Sequence, residues 1–291
     1  MTGAAGSSGS YAPFDEKKTA AAISLLSDES EVVVQRCRAA LVAMGEAVRP
    51  RLLDELSRVR GDANRLLRHI VAEIDGPRLE REVIEMLGGR PDLEQGSILL
   101  GRLVDGGAGP DGVAGVLDAM AERADDLLHG QREPDRVLDV LRKVLVCQEG
   151  LRGVPYEHVH LVDALLHGAT SHRRAMPLPL CIVWVLVGRR LGVPIVGLGM
   201  PGHMLVRYDR PDGLLVLDPF HGGQTSDEDF WRRFLVAQGF VASDLTALDA
   251  TDGEMLVRTL RNLLNLAPRD GEPVLAERCH RILRAAAERV G

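Results

Sequence analysis

Three short runs of β-type residues, IVGLG (195–199), HMLVRYD (203–209) and LLVLDPF (214–220), crowd into the stretch between Pro194 and Phe220. They are separated by MPGH and RPDG, sequences suited to turns. No other part of the chain has convincing sheet character, and helical periodicity flanks these runs on both sides. The expected fold is therefore α+β: mostly helical, with a small antiparallel sheet. A length of 291 residues and 45% hydrophobic content supply a real core for it.

Upstream, residues 1–14 are rich in Gly, Ser and Ala and read as a disordered tail. From Asp15 the apolar spacing turns helical: Ala22, Ile23 and Leu26 form one stripe, and Val33, Val34, Cys37, Ala40, Leu41 and Met44 the next, with Gly45 placed to end it. Further stripes run through Leu52, Leu53 and Leu56, through Leu66, Leu67, Ile70 and Val71, and through Leu79, Val83, Ile84 and Leu87. The unit LLSDESEVVVQRCRAALVAMGEAVRPRLLDEL reads as a helix pair with an acidic turn, like a HEAT repeat, but in too few copies for a long solenoid. More helices are expected around 98–104, 113–128 and 137–146. The expected division is a helical region over 15–149, a core over 150–245 and a terminal helix pair over 246–291, the last carried by EMLVRTLRNLLNLAP and PVLAERCHRILRAAAERV.

The formal net charge of -7, with charges of both signs scattered along the chain, provides no basic stripe for nucleic acid or anionic lipid. The opening MTGAAGSSGSYAPF has neither a basic n-region nor an apolar h-region, and the most apolar uncharged stretch, Met176 to Gly188, is too short to span a bilayer. A cytoplasmic protein without membrane or nucleic-acid partners is the expectation. Four cysteines, Cys37, Cys147, Cys181 and Cys279, lie far apart without a CxxC pair, which argues against a disulfide framework or a zinc knuckle. His158, His160, His167 and His172 invite a metal reading, yet no Cys or HExxH-type partner completes a site, so neither metal nor organic cofactor is expected.

Cys181 follows Pro177 and Pro179 at the start of a helical segment running to Leu191, on the same face as Trp184, Val185 and Gly188. The partial positive charge of a helix N-terminus favours a thiolate; the alternative is a buried, inert thiol. His203 begins the second β-type run, just after Met200-Pro201-Gly202, and Asp218 ends the third. If the two strands pair as a hairpin turning at Pro211–Gly213, both residues fall at the same end. The imidazole then takes the thiol proton and the carboxylate fixes its tautomer. Asp218 also reads as a turn residue capping backbone N–H groups. Cys37, Cys147 and Cys279 fit helical apolar patterns and are assigned to the core; Trp184 and Trp231 to the core or a pocket wall. The pairs Arg173-Arg174 and Arg189-Arg190 read as solvated helix edges or as holders of an anionic group.

The stretch HRRAMPLPLCIVWVLVGRRLGVPIVGLGMPGHMLVRYDRPDGLLVLDPFHGG, residues 172–223, resembles the transglutaminase-like core of the bacterial SirB-type family, in which an RRGIP approach, a helix, PGHFLVR and DPFNGG follow in this order. The helical region before it and the terminal RTLRNLL helix are similar to that family too. The wider superfamily resembles papain, and the resemblance implies Cys181 as nucleophile, His203 as proton shuttle, Asp218 as its orienting acid and helix-start N–H groups as oxyanion donors. Implied with it is cysteine-dependent acyl transfer on a protein, peptide or other amide substrate, by hydrolysis (a peptidase or amidase) or transamidation. Many SirB-type proteins carry Ser or Gly at the cysteine position and some lack the histidine. The second expectation is therefore a non-catalytic scaffold or regulatory peptide-binding protein. This chain departs from the family pattern at Val162-Asp163, where an Asn is usual, at Ala175 for a Gly and at His221 for an Asn.

Overall fold

The computed structural model describes residues 15–200, 202–211, 213–226, 228–237 and 248–290. The expected tail at 1–14, and Pro201 and Asp212 of the two expected turns, lie outside the described residues. Contacts divide the chain into two compact units, Met1–Leu79 with Asp105–Gly107, and Glu80–Val104 with Ala108–Gly291.

The first unit is helical, and its stripes bury in part: Leu26, Leu41, Leu52, Leu67, Ile70 and Val71 are buried, Ile23, Cys37, Met44 and Leu56 are half-buried against them, and Ala40 is exposed. Helix α1 (Glu16–Ser24) starts where the Asp15 carboxylate accepts from Lys17 N and Lys18 N. Helix α2 (Glu31–Met44) ends at Gly45, which adopts φ 59, and α3 (Arg49–Leu56) and the first part of α4 (Gly61–Leu87) follow. Leu26, Leu41, Val48, Leu52, Leu67, Ile70, Val71 and Ile74 form the core. Each fully buried aliphatic side chain contributes about 1.5–3 kcal/mol. Residues 105–107 join this unit through Gly106 N donating to Arg68 O and the Arg68–Asp105 ion pair.

The second unit holds the sheet. Strands β3 (Ile195–Met200), β4 (His203–Arg210), β5 (Gly213–Asp218), β6 (Gln224–Ser226) and β7 (Asp249–Ala250) form one antiparallel sheet in the order β6-β5-β4-β3-β7. The three longer strands occupy the three β-type runs, while β6 and β7 are too short to leave a periodic signal. A separate two-stranded parallel pair joins β1 (Arg152–Gly153) to β2 (Arg174–Ala175).

Helices α5 (Leu93–Val104), α6 (Pro110–Leu128) and α7 (Pro134–Leu141), the last continued by a π-helical stretch over Arg142–Gln148, belong to this unit as well. Helices α5 and α6 pack on α8 (Leu166–His172), α6 also on α9 (Pro177–Leu191), and α5 on α11 (Asp252–Leu266), which itself pairs with α12 (Pro273–Val290). By contacts the first unit ends at Leu79, inside α4.

Helix α9 is the centre of the unit. Pro177 occupies its first position after the Met176 cap, and Gly192 ends it at φ 66. Every residue from Leu178 to Gly188 is buried, because α6, α8 and α11 cover one side of the helix and β3 and β4 the other. The exposed end of α9 is tied down by charge. Arg189 pairs with Asp252, and Arg190 with both Glu94 and Asp118. Arg173 and Arg174 pair with Glu149 and Asp163. Carboxylates of the same unit thus pair with all four arginines, while Arg189 and Arg174 stay 47% and 41% exposed, so the solvent-facing reading of these pairs holds with the ion pairs added. Among the described residues, no helix is long and apolar enough to cross a membrane.

Trp184, 1% exposed, is among the largest buried side chains. Trp184→Ala is expected to cost about 3–5 kcal/mol, read as a lower urea midpoint. A shift under 1 kcal/mol would contradict its central place.

Candidate active site

The register of the sheet assembles the site. Val206 faces Leu217 and Arg210 faces Gly213, so the start of β4 and the end of β5 reach the same edge. There His203 Nε2 lies 3.0 Å from Asp218 Oδ2. The other carboxylate oxygen, Oδ1, accepts from Phe220 N at 3.0 Å and His221 N at 3.3 Å. Asp218 thus makes both contacts at once, the turn through one oxygen and the imidazole through the other. A second imidazole joins them: His221 Nδ1 lies 2.8 Å from the same Oδ2. The Phe220 ring meets both imidazoles edge to face.

The turn that carries Asp218 is closed by two glycines with positive φ, Gly222 at 70° and Gly223 at 71°. Gly223 N donates to Asp218 O at 2.7 Å, and a Cβ at Gly223 would stand 2.7 Å from the Trp184 ring. Burial raises the Asp218 pKa, but the hydrogen bonds and charges of His203 and His221 outweigh it and hold the carboxyl below its ordinary 3.8. An ionised carboxylate only accepts, so His203 Nε2 and His221 Nδ1 donate to it.

Cys181 stands apart from this pair. It lies in the second turn of α9 rather than at its start, is 0% exposed, and donates its thiol proton to Met204 O at 3.3 Å. Burial first, and the negative charge of Asp218 second, push the thiol well above its ordinary value. The expected thiolate-favouring environment is therefore not what the fold provides: dipole stabilisation falls off within the first turn, whereas desolvation acts on the whole side chain. Among the hydrogen bonds of the described residues, none joins the Cys181 sulfur to His203, although Met204 is the next residue in the strand. The helix start itself is poor in donors, because Pro177 and Pro179 have no N–H and Leu180 N already reaches Met176 O.

What lies beside His203 is a pocket of about 360 Å³. Met176, Pro177 and Leu178 from the start of α9 line it, with Met200 and Met204 from the strands; Cys181 does not. Arg258, Arg261 and Asn262 of α11 supply its polar rim. Arg258 Nη1 donates to His203 O at 3.4 Å, and Arg261 has no acidic partner among the described residues. The sequence reading missed both arginines, whose spacing of three marks a shared helix face without saying what it overlooks. It also missed His221 as a partner of Asp218, for which the three-residue spacing in DPFHGG is the available signal.

The remaining candidates scatter. His158, His160, His167 and His172 do not gather into a group of three possible metal ligands, and His160 sits 3.7 Å from Asp270. Cys279 is buried and Cys37 half-buried, but Cys147 is exposed on the π-helical stretch, which corrects its assignment to the core.

Residues 112–261, just over half of the chain, match the family described as the transglutaminase-like superfamily. A UPF0162 protein of Xylella fastidiosa is 32% identical over 164 residues, covering 53% of this chain and 58% of its own length. A UPF0162 protein of Pseudomonas aeruginosa is 38% identical over 117 residues, or 39% of this chain and 42% of its own. F-box only protein 21 of Mus musculus is 25% identical over 145 residues, 47% of this chain and 22% of its own. The chain thus spans less than two thirds of the length of these curated relatives. No solved structure matches it.

Thiol chemistry tests the burial pattern. Burial pushes Cys279 up to about 12, and Cys181 also lies above its ordinary value. Both are thus expected to stay protonated and unmodified between pH 7 and 9 while Cys147 is labelled. Peptide mapping after alkylation of the folded protein checks this, and rapid labelling of Cys181 would overturn it.

Proposed function

The chain belongs to the transglutaminase-like superfamily, and on that footing we propose that it uses this fold to hold a peptide C-terminus non-covalently in the pocket beside His203. One observation carries the reading: the Cys181 sulfur is sealed, bonded to Met204 O, and absent from the pocket wall. The helix start contributes Met176, Pro177 and Leu178 to the pocket wall, none of which offers a nucleophile. The pocket's chemistry suits a terminal apolar side chain against the methionines, with its carboxylate between Arg258 and Arg261. The SirB-type assignment and the HEAT-like reading of α2 and α3 belong to the same proposal, supported by the motif order and the helix pair; a cytoplasmic location is proposed with them.

A second reading has its own observation. The His203 Nε2–Asp218 Oδ2 bond leaves Nδ1 free to accept a proton, which is the arrangement a Cys-His-Asp triad requires. In that reading the Cys181 thiolate attacks an amide carbonyl, His203 takes and returns the proton, Asp218 orients the ring, and water or an amine releases the acyl group. It demands that the seam between α9 and β4 open to bare the sulfur.

Fluorescence anisotropy with labelled peptides separates the two. Peptides ending in an apolar residue with a free carboxylate are expected to bind; C-terminal amidation or Arg261→Glu weakens them about tenfold, equivalent to about 1.4 kcal/mol. Cys181→Ala is expected to leave that affinity unchanged. Capture of an electrophilic peptide at Cys181, abolished by His203→Ala, would instead favour acyl transfer and sink the non-covalent reading.

A further inference from the structure

We propose that His203, Asp218 and His221 form a binding site for a divalent transition cation of the Zn²⁺ class, with a fourth position open to solvent. Three donor atoms, one from each side chain, lie within 4.8 Å of one another, and this is the one such group among the described residues. Both imidazole nitrogens already converge on Asp218 Oδ2, at 3.0 and 2.8 Å. Donor atoms around a tetrahedral cation bonded at about 2.0–2.1 Å stand roughly 3.3–3.4 Å apart, so the two nitrogen–oxygen pairs need to open by a few tenths of an ångström, and the two nitrogens, within 4.8 Å of each other, settle to the same spacing through rotation of the exposed His221 ring. Two imidazoles and a carboxylate are the donor set such cations accept, whereas Ca²⁺ and Mg²⁺ prefer oxygen alone.

The support for these ligands is already built. Asp218 is anchored through Oδ1 by Phe220 N and His221 N, so Oδ2 can exchange its two imidazole hydrogen bonds for the ion without unmaking the turn. His203 is held on strand β4, and Phe220 braces both rings. The His221 side chain is 59% exposed and provides the way in, so a water molecule completes the coordination from the solvent side. Binding requires each imidazole to move its proton to the other ring nitrogen: from Nε2 to Nδ1 in His203, and from Nδ1 to Nε2 in His221. In His203 that destination is the nitrogen a triad would use as its base. Cation occupancy and general-base action by His203 therefore exclude each other.

The inference goes beyond the peptide reading and does not depend on it. Chelator-stripped, desalted protein titrated with Zn²⁺ alone in a calorimeter is expected to bind one equivalent per chain, and Co²⁺ to give a visible ligand-field spectrum at the same stoichiometry. His221→Ala and Asp218→Asn should each weaken Zn²⁺ at least about tenfold, while His172→Ala, on an exposed surface elsewhere, should not. If Asp218→Asn fails to fold by circular dichroism, the exposed His221 variant decides alone. No stoichiometric binding, or binding that survives His221→Ala, would overturn the site. Because the titration contains no peptide, its failure leaves the pocket reading standing, and failure of the anisotropy experiment leaves the titration standing.

Discussion

The burial of α9 on every side governs the second unit. An apolar helix without a polar face has no stable place at a surface, so the chain must supply helices on one flank and a sheet on the other. That demand explains why α6, α8 and α11 converge on it and why the strands follow it directly. It also decides the fate of Cys181. A residue one turn into such a helix is enclosed by its neighbours, and its sulfur finds a backbone carbonyl in place of solvent. The same packing that makes the fold therefore withdraws the thiol from chemistry at the surface.

Asp218 does for the rim what α9 does for the interior. Its two oxygens divide the work, one fixing the backbone of the turn and the other gathering two imidazoles. The same neighbours hold the carboxyl below its ordinary value, so it accepts from both rings as a carboxylate. Histidine at 221 changes what the acid can organise. A residue without a second imidazole there would leave a simple histidine–aspartate pair.

Much of this was legible in the residues themselves. The β-type runs became β3, β4 and β5, and the hairpin register that joins His203 to Asp218 follows from the turn around Pro211–Gly213. Stripes such as Leu67, Ile70 and Val71 buried as their period requires. What could not be read was depth. Periodicity put Cys181 on a face with Trp184, yet only tertiary packing determines how completely that face is covered. Strands of two or three residues, β6 and β7, carry no alternation long enough to detect. The partners of Arg189 and Arg190 lie 63 and up to 96 positions away, a separation that local spacing does not register.

The contact between Gly223 and the Trp184 ring ties these themes together. The turn that aims the acid rests directly on the indole at the heart of the packed helix, with no side chain between them to absorb displacement. A side chain at position 223 would therefore have to displace either the indole or the turn. A transplant of the DPFHGG loop onto another scaffold would have to carry the indole beneath it, because the loop's shape is borrowed from the floor on which it lies.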